Sequence, residues 1–184
     1  MSQNNLSNVL EAVLLAAGRP VSIAQMLELF DEQQRPTADE VQAALGELEA
    51  HCAERACELR EVSSGWRLQV RPDHAEIVSR LWQERPTRYA RALLETLALI
   101  AYRQPITRSE IEDVRGVTVA STIMRTLHER NWVRVVGHRE VPGRPELLGT
   151  TREFLDYFGL KSLDDLPTLA ELRDLDDISV QLEF

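Results

Sequence analysis

The feature that most restricts the fold is a repeat. Pro20, Val21, Ser22 and Gln25 align with Pro105, Ile106, Thr107 and Glu110 at a constant offset of 85, and each set follows the end of an apolar helical stretch. A chain of 184 residues that carries one local device twice is predicted to hold two copies of one unit, not a single continuous core.

Each copy reads in the same order. Leu6, Val9, Leu10, Val13, Leu14 and Ala17 recur at helical spacing, with Gly18 and Pro20 as a stop. Ser22 with Gln25 is a capping-box pattern and opens a second helix carrying Ile23, Met26, Leu27 and Phe30. Thr37 with Glu40 opens a third, with Val41, Ala44, Leu45, Leu48 and Cys52 inward. The period then drops to two: Cys57 and Leu59, a turn at Ser63 to Gly65, then Trp66, Leu68 and Val70 predict a hairpin. Pro72 and Asp73 start another helix bearing Ile77, Val78, Leu81 and Trp82.

In the second copy, Leu93, Leu97, Ile100 and Ala101 mark the first helix. Thr107 with Glu110 caps the next, with Ile111 and Val114 inward and Gly116 as its end; Ala120, Ile123, Met124 and Leu127 mark the third. Asn131 is placed to turn left-handed, Trp132 to Val136 reads as a strand, and His138 to Glu146 reads as too irregular to pair. Leu147 to Thr150 returns as a strand, and Thr151 opens a helix with Phe154, Leu155 and Phe158 that Gly159 closes.

Three short helices cannot close a core alone, so each hairpin is predicted to lie on their open side, with Trp66 and Trp132 each burying about 150 to 250 Å². The fold class is mainly α with small β wings (α+β), as two tandem winged-helix domains. The expected divisions are an N-terminal domain at 1–82, a linker at 83–89, a C-terminal domain at 90–159 and an acidic tail at 160–184. Position and charge favour disorder in that tail. The alternation of Ile178, Val180, Leu182 and Phe184 offers as the alternative a strand that pairs with an exposed sheet edge or occupies the chain's own partner-binding groove until the partner displaces it.

Composition removes several classes. No apolar run nears the roughly 20 residues of a membrane span, and Met1 to Ser7 lacks a signal peptide's pattern, so a cytoplasmic protein is expected. Neither GxxxxGK nor GxGxxG occurs, which argues against nucleotide chemistry. His51, Cys52 and Cys57 fall short of a closed zinc set, so no metal and no cofactor are expected. Glu110, Glu112 and Asp113 stand in early helical turns, where the dipole favours carboxylates without any catalytic role. The chain does not read as an enzyme.

Charge separates the two copies. Residues 1–80 carry 7 basic and 13 acidic groups, 81–158 carry 12 and 10, and 159–184 carry 2 and 7. The third helix of the first copy, with Asp39, Glu40, Glu47, Glu49 and Glu54, would repel phosphate and suits a protein partner. In the second copy Thr118, Ser121, Thr122 and Arg125 look like a DNA-recognition surface, with Arg134 and Arg139 adding charge, so a DNA-binding regulator is the alternative reading. An arginine-rich wing equally suits a partner's carboxylates.

The string Leu99-Ile-Ala-Tyr-Arg-Gln-Pro-Ile-Thr-Arg-Ser-Glu-Ile-Glu-Asp-Val-Arg-Gly-Val117, then Gly143-Arg-Pro-Glu-Leu147, Gly149-Thr-Thr151 and Phe158-Gly-Leu-Lys-Ser-Leu-Asp-Asp-Leu-Pro167, resembles the segregation and condensation protein B family, the kite subunits of bacterial condensin. Leu148 stands where that pattern has an aromatic residue, and Asn131 where it has glycine. The resemblance implies a non-catalytic subunit in chromosome condensation and segregation during cell division. It implies a homodimer through the N-terminal domains, with the C-terminal domains on the kleisin subunit, segregation and condensation protein A. The structural maintenance of chromosomes ATPase is then reached through the kleisin, and DNA only indirectly or weakly. Tyr102, Arg103, Pro105, Arg144 and Pro145 are the candidate partner-facing residues, although Tyr102 capping the core and Pro145 stiffening its loop are equally open.

Overall fold

A computed structural model describes residues 3–81 and 89–168. Trp82, linker residues 83–88 and the strand-like alternation at 178–184 lie outside the described residues. The first set of elements is α1 (Gln3–Ala17), α2 (Ile23–Glu28), α3 (Ala38–Cys52), β1 (Cys57–Val62), β2 (Gly65–Val70) and, after a 3-10 turn at Pro72–His74, α4 (Ala75–Ser79). The second is α5 (Arg91–Arg103), α6 (Arg108–Arg115), α7 (Ser121–Glu129), β3 (Val133–His138), β4 (Glu146–Thr150) and α8 (Arg152–Phe158), with a 3-10 turn at Leu163–Asp165. Each set holds one two-stranded antiparallel sheet. The mainly helical fold with two small wings is the one the sequence predicts.

The capping boxes form as read. Ser22, Thr37 and Thr107 each accept a backbone N–H from the third residue onward, and the side chains of Gln25, Glu40 and Glu110 accept one in return. The repeat has a further meaning that spacing alone does not convey. Val21 and Trp66 exchange both main-chain hydrogen bonds at 2.9 Å, and Ile106 and Leu148 do the same at 3.2 and 2.8 Å. The residue just before the Ser22 and Thr107 capping boxes thus fastens each wing to its helices. Gly65, at φ 136°, allows this closeness, because a Cβ there would collide with the Val21 carbonyl.

Two separate cores result. Leu10, Met26, Leu45 and Leu48 are closed over by Leu59 and Trp66, while Leu97, Ile100, Ile111 and Leu127 are closed over by Trp132, Leu148 and Phe154. Leu148, the departure from the family pattern, is fully used in the second core, and Asn131 takes the left-handed φ of 55°. Cys52 and Cys57 are free thiols with Sγ atoms 4.0 Å apart, and burial pushes the Cys52 thiol up to about 11.

Several expectations are corrected. Val114 does not face inward: it is 45% exposed, because the short α6 has room for Ile111 alone and Val119 of the next loop fills the remaining space. Ile77 and Leu81, at 69% and 78% exposed, contribute nothing to the core. The stretch from His138 is not unpaired at its ends, since β3 continues to His138 opposite Glu146, with an irregularity between Val135 and Gly137 that absorbs the odd residue. Residues 160–168, expected to begin a loose tail, are anchored: Leu160 and Leu166 pack on the second core.

The first wing also grips the end of α8. Arg60 and Arg67 stand directly opposite each other across the hairpin, a like-charge pairing that needs an acceptor between them. The helix terminus supplies it: Arg67 donates to the Asp156 carbonyl at 2.9 Å and Arg60 to the Gly159 carbonyl at 3.3 Å. Cations at carbonyls of a helix end are favoured by its dipole. The Asp156 carboxylate accepts the Ser64 N–H at 2.9 Å and its hydroxyl at 2.5 Å, Ser63 N–H donates to the Leu160 carbonyl at 3.0 Å, and Lys161 pairs with Glu61. Asp156→Ala removes both acceptors for Ser64 and is expected to weaken this clasp by about 1 to 3 kcal/mol. Small-angle scattering should show a larger radius of gyration with an unchanged helical circular dichroism spectrum; an unaltered scattering curve would refute the role given to Asp156.

Candidate partner-binding surface

Most of the motif string builds the scaffold. At the end of α5 the Gln104 amide donates to the Ala101 carbonyl at 3.1 Å and to Thr150 Oγ1 at 3.0 Å, and its Oε1 accepts the Thr150 N–H at 2.8 Å. Gly149 makes room for it, since a Cβ there would lie 2.9 Å from that oxygen. Thr151 caps α8 by accepting the Phe154 N–H at 3.1 Å. Glu112 accepts the Val119 N–H at 2.9 Å while Arg108 donates to the Val119 carbonyl, which fixes the loop into α7. Arg115 reaches Thr96 Oγ1 and Glu95, both at 3.1 Å, and ties α6 to α5. These residues are spent on geometry.

What the scaffold leaves outside is a groove of about 360 Å³ beside the α5–α6 turn. Arg103, Pro105, Asp113, Val114 and Arg139 line it, with Ile106 and Glu110. Arg139 pairs with Glu110 at 2.7 Å across it, so the wing's base is tied to α6. The Thr107 N–H and hydroxyl, joined by Arg139, hold the Glu110 carboxyl below the ordinary carboxylate range despite some desolvation. Arg103 forms no ion pair among the described residues, so the groove offers one open guanidinium beside an exposed valine. That combination suits an extended peptide with apolar and acidic side chains.

The five candidate partner residues do not form one patch. Arg103 and Pro105 share the groove just described. Tyr102 faces another side of α5, where its hydroxyl donates to the Pro167 carbonyl at 2.5 Å. Arg144, at φ 39°, sits at the wing tip 3.4 Å from Glu140, and Pro145 lines a third hollow with Met124 and His128 between α6, α7 and the wing.

The residues of the DNA-binding alternative are also dispersed. Thr118, Ser121, Thr122 and Arg125 are exposed at the start of α7 and before it, but Arg125 lies 3.7 Å from Glu129. Arg134 lines a hollow with Gln104 and Thr151, apart from Arg139, which is committed to Glu110. Among the described residues no group of three or more His, Cys, Asp or Glu is placed to hold a metal ion, and no helix is long and apolar enough to cross a membrane. Sequence reasoning missed Asp113 and Val114 as groove residues. It also missed Arg60 and Arg67, whose facing register was the available signal.

The family model described as segregation and condensation complex subunit ScpB matches residues 8–169. A segregation and condensation protein B homolog of Coxiella burnetii is 51% identical, over 98% of this chain and 87% of its own length. Segregation and condensation protein B of Syntrophotalea carbinolica is 45% identical, over 100% of this chain and 92% of its own length. Among solved structures, ScpB from Mycobacterium tuberculosis is 36% identical over 87% of this chain and 98% of its own, with a TM-score of 0.40. A dimer of the ScpB N-terminal domain complexed with an ScpA peptide is 25% identical over 45% of this chain and 100% of its own, also with a TM-score of 0.40.

The depressed carboxyls of Glu95, Glu110 and Glu112 set an acid limit on the second domain. Carboxyls whose folded pKa lies below the unfolded value stabilise above about pH 4.3, and that stability is lost as pH falls through the folded value. Thermal unfolding should therefore drop in midpoint below about pH 4.3, and Glu110→Gln should lower the midpoint at pH 7 while flattening the acid decline. Parallel pH curves for the two proteins would contradict the assignment.

Proposed function

We propose, from the premise that the chain belongs to the segregation and condensation complex subunit ScpB family, that it works by holding a segment of ScpA, the kleisin, against its second domain. As a member of that family it is a non-catalytic subunit acting in chromosome segregation and condensation. The observation that carries the ScpA reading is the division of labour in the motif string: Gln104, Thr107, Arg108, Glu112 and Arg115 are consumed by the scaffold, and they leave Arg103, Pro105 and Val114 outward at one groove. Arg144 and Pro145 at the wing extend the proposed contact. A flexible ScpA segment would be ordered on binding, with buried apolar area offsetting the entropy lost.

The first domain serves as the homodimer contact in this reading. Its exposed Ile77 lies in α4 and its exposed Leu81 in the turn that follows, and an acidic surface on α3 keeps nucleic acid away. The structural maintenance of chromosomes ATPase is reached through ScpA, in the cytoplasm at the nucleoid, and DNA contact is weak or indirect. Calorimetric titration of the chain with the central region of ScpA tests this. The double substitution Arg103→Glu and Val114→Glu should weaken binding at least tenfold, more so at low salt, with the circular dichroism spectrum retained. Unchanged affinity would remove the groove from the interface.

A further inference from the structure

The chain's two cysteines take no part in the proposed ScpA contact, yet the fold brings them together. Cys52 ends α3 and Cys57 begins β1, so their sulfurs meet where the helices of the first domain turn into its wing, with the Sγ atoms 4.0 Å apart. One side chain fixes the turn between them. The Arg71 guanidinium donates to the carbonyls of Cys52 and Ala53 at 2.9 Å and of Arg55 at 2.8 Å, and the Arg71 N–H donates to the Ala56 carbonyl at 2.9 Å. Arg55 reaches across to Glu11 of α1 at 2.8 Å, and Cys57 is paired in the ladder opposite Val70. The backbone on both sides of the two thiols is therefore already held in place while they are unbonded.

We propose that Cys52 and Cys57 form a reversible disulfide site, oxidised by low-molecular-weight disulfides of the glutathione class, that cross-links the end of α3 to the first wing. A bond of about 2.05 Å requires the sulfurs to approach by about 2 Å, a shift within the reach of rotation about the two Cα–Cβ bonds. Exposure orders the two thiols, since Cys57 is half-buried and Cys52 only 1% exposed. Burial first, then the Cys57 thiol and the Glu11 carboxylate, push the Cys52 thiol up to about 11 against the opposing pull of Arg55, so it stays protonated near neutral pH.

In the exchange, the Cys57 thiolate attacks one sulfur of the small disulfide, forms a mixed disulfide and expels one thiolate. Cys52 then gives its proton to solvent, attacks the Cys57 sulfur and expels the second thiolate. The protein pair loses two electrons and two protons, and the small disulfide gains them as two thiols. Where glutathione is kept reduced the site rests as the dithiol, and it closes only when small disulfides accumulate.

The test is to equilibrate the full-length protein with mixtures of reduced and oxidised glutathione, quench with acid, and read intact and peptide masses. The expected product is a monomer lighter by two hydrogen atoms, with the Cys52 and Cys57 peptides joined and dithiothreitol restoring the dithiol. The equilibrium constant against glutathione should be at least about tenfold larger in the folded protein than in the same chain unfolded in urea, because the fold already holds the sulfurs together. Cys52→Ala should instead accumulate the mixed disulfide at Cys57. A constant no larger in the folded than in the unfolded chain would overturn the proposal. So would a disulfide between two copies, or a mixed disulfide at Cys57 that persists in the unsubstituted protein.

Discussion

Everything in this fold hangs on one main-chain exchange made twice. A three-helix unit this small leaves one side of its core open, and in both copies a single extended residue paired with the returning strand fastens the wing over that side: Val21 with Trp66, and Ile106 with Leu148. The pairing satisfies backbone groups that would otherwise be buried without partners, and it brings Trp66 and Leu148 down onto the helices. Because the extended residue immediately precedes a capping box, helix initiation and wing closure are set by the same few residues. This is why the two copies keep that stretch while differing elsewhere.

The two copies then diverge in what they do with their surfaces. The first uses its wing inwardly, spending Arg60, Arg67 and Ser64 on the end of α8, and keeps acidic groups on α3. The second uses its wing to bound a groove and ties Arg139 to Glu110 at the groove's edge. A surplus of arginine in the sequence therefore does not translate into a free basic face. Most of these guanidiniums already have carboxylate or carbonyl partners, which weakens any simple phosphate-binding reading.

Much of the fold was legible in the chain. Helix starts were, because Ser22, Thr37 and Thr107 cap by a purely local mechanism, and helix ends at Gly116, Asn131 and Gly159 were, because a left-handed residue is a local requirement. The register of β3 was not, since the irregularity between Val135 and Gly137 adds a residue that strict alternation does not anticipate. Val114 was misjudged for a related reason: helical spacing marks a face, but two turns of helix bury only one residue of it. The candidate partner residues were legible only as a motif. Gln104 and Gly149 look functional in a sequence and prove to be joinery, whereas Tyr102, Arg103 and Pro105 are adjacent in sequence yet serve different sides of α5.

The central claim is that this is a binding scaffold whose two modules act together on another chain. Its most direct test is the mass, by light scattering after size exclusion, of the full-length protein alone and mixed with a central fragment of ScpA. The account predicts a dimer alone and a single co-eluting species heavier by the fragment. A monomer whose mass and elution do not change on adding ScpA would contradict it.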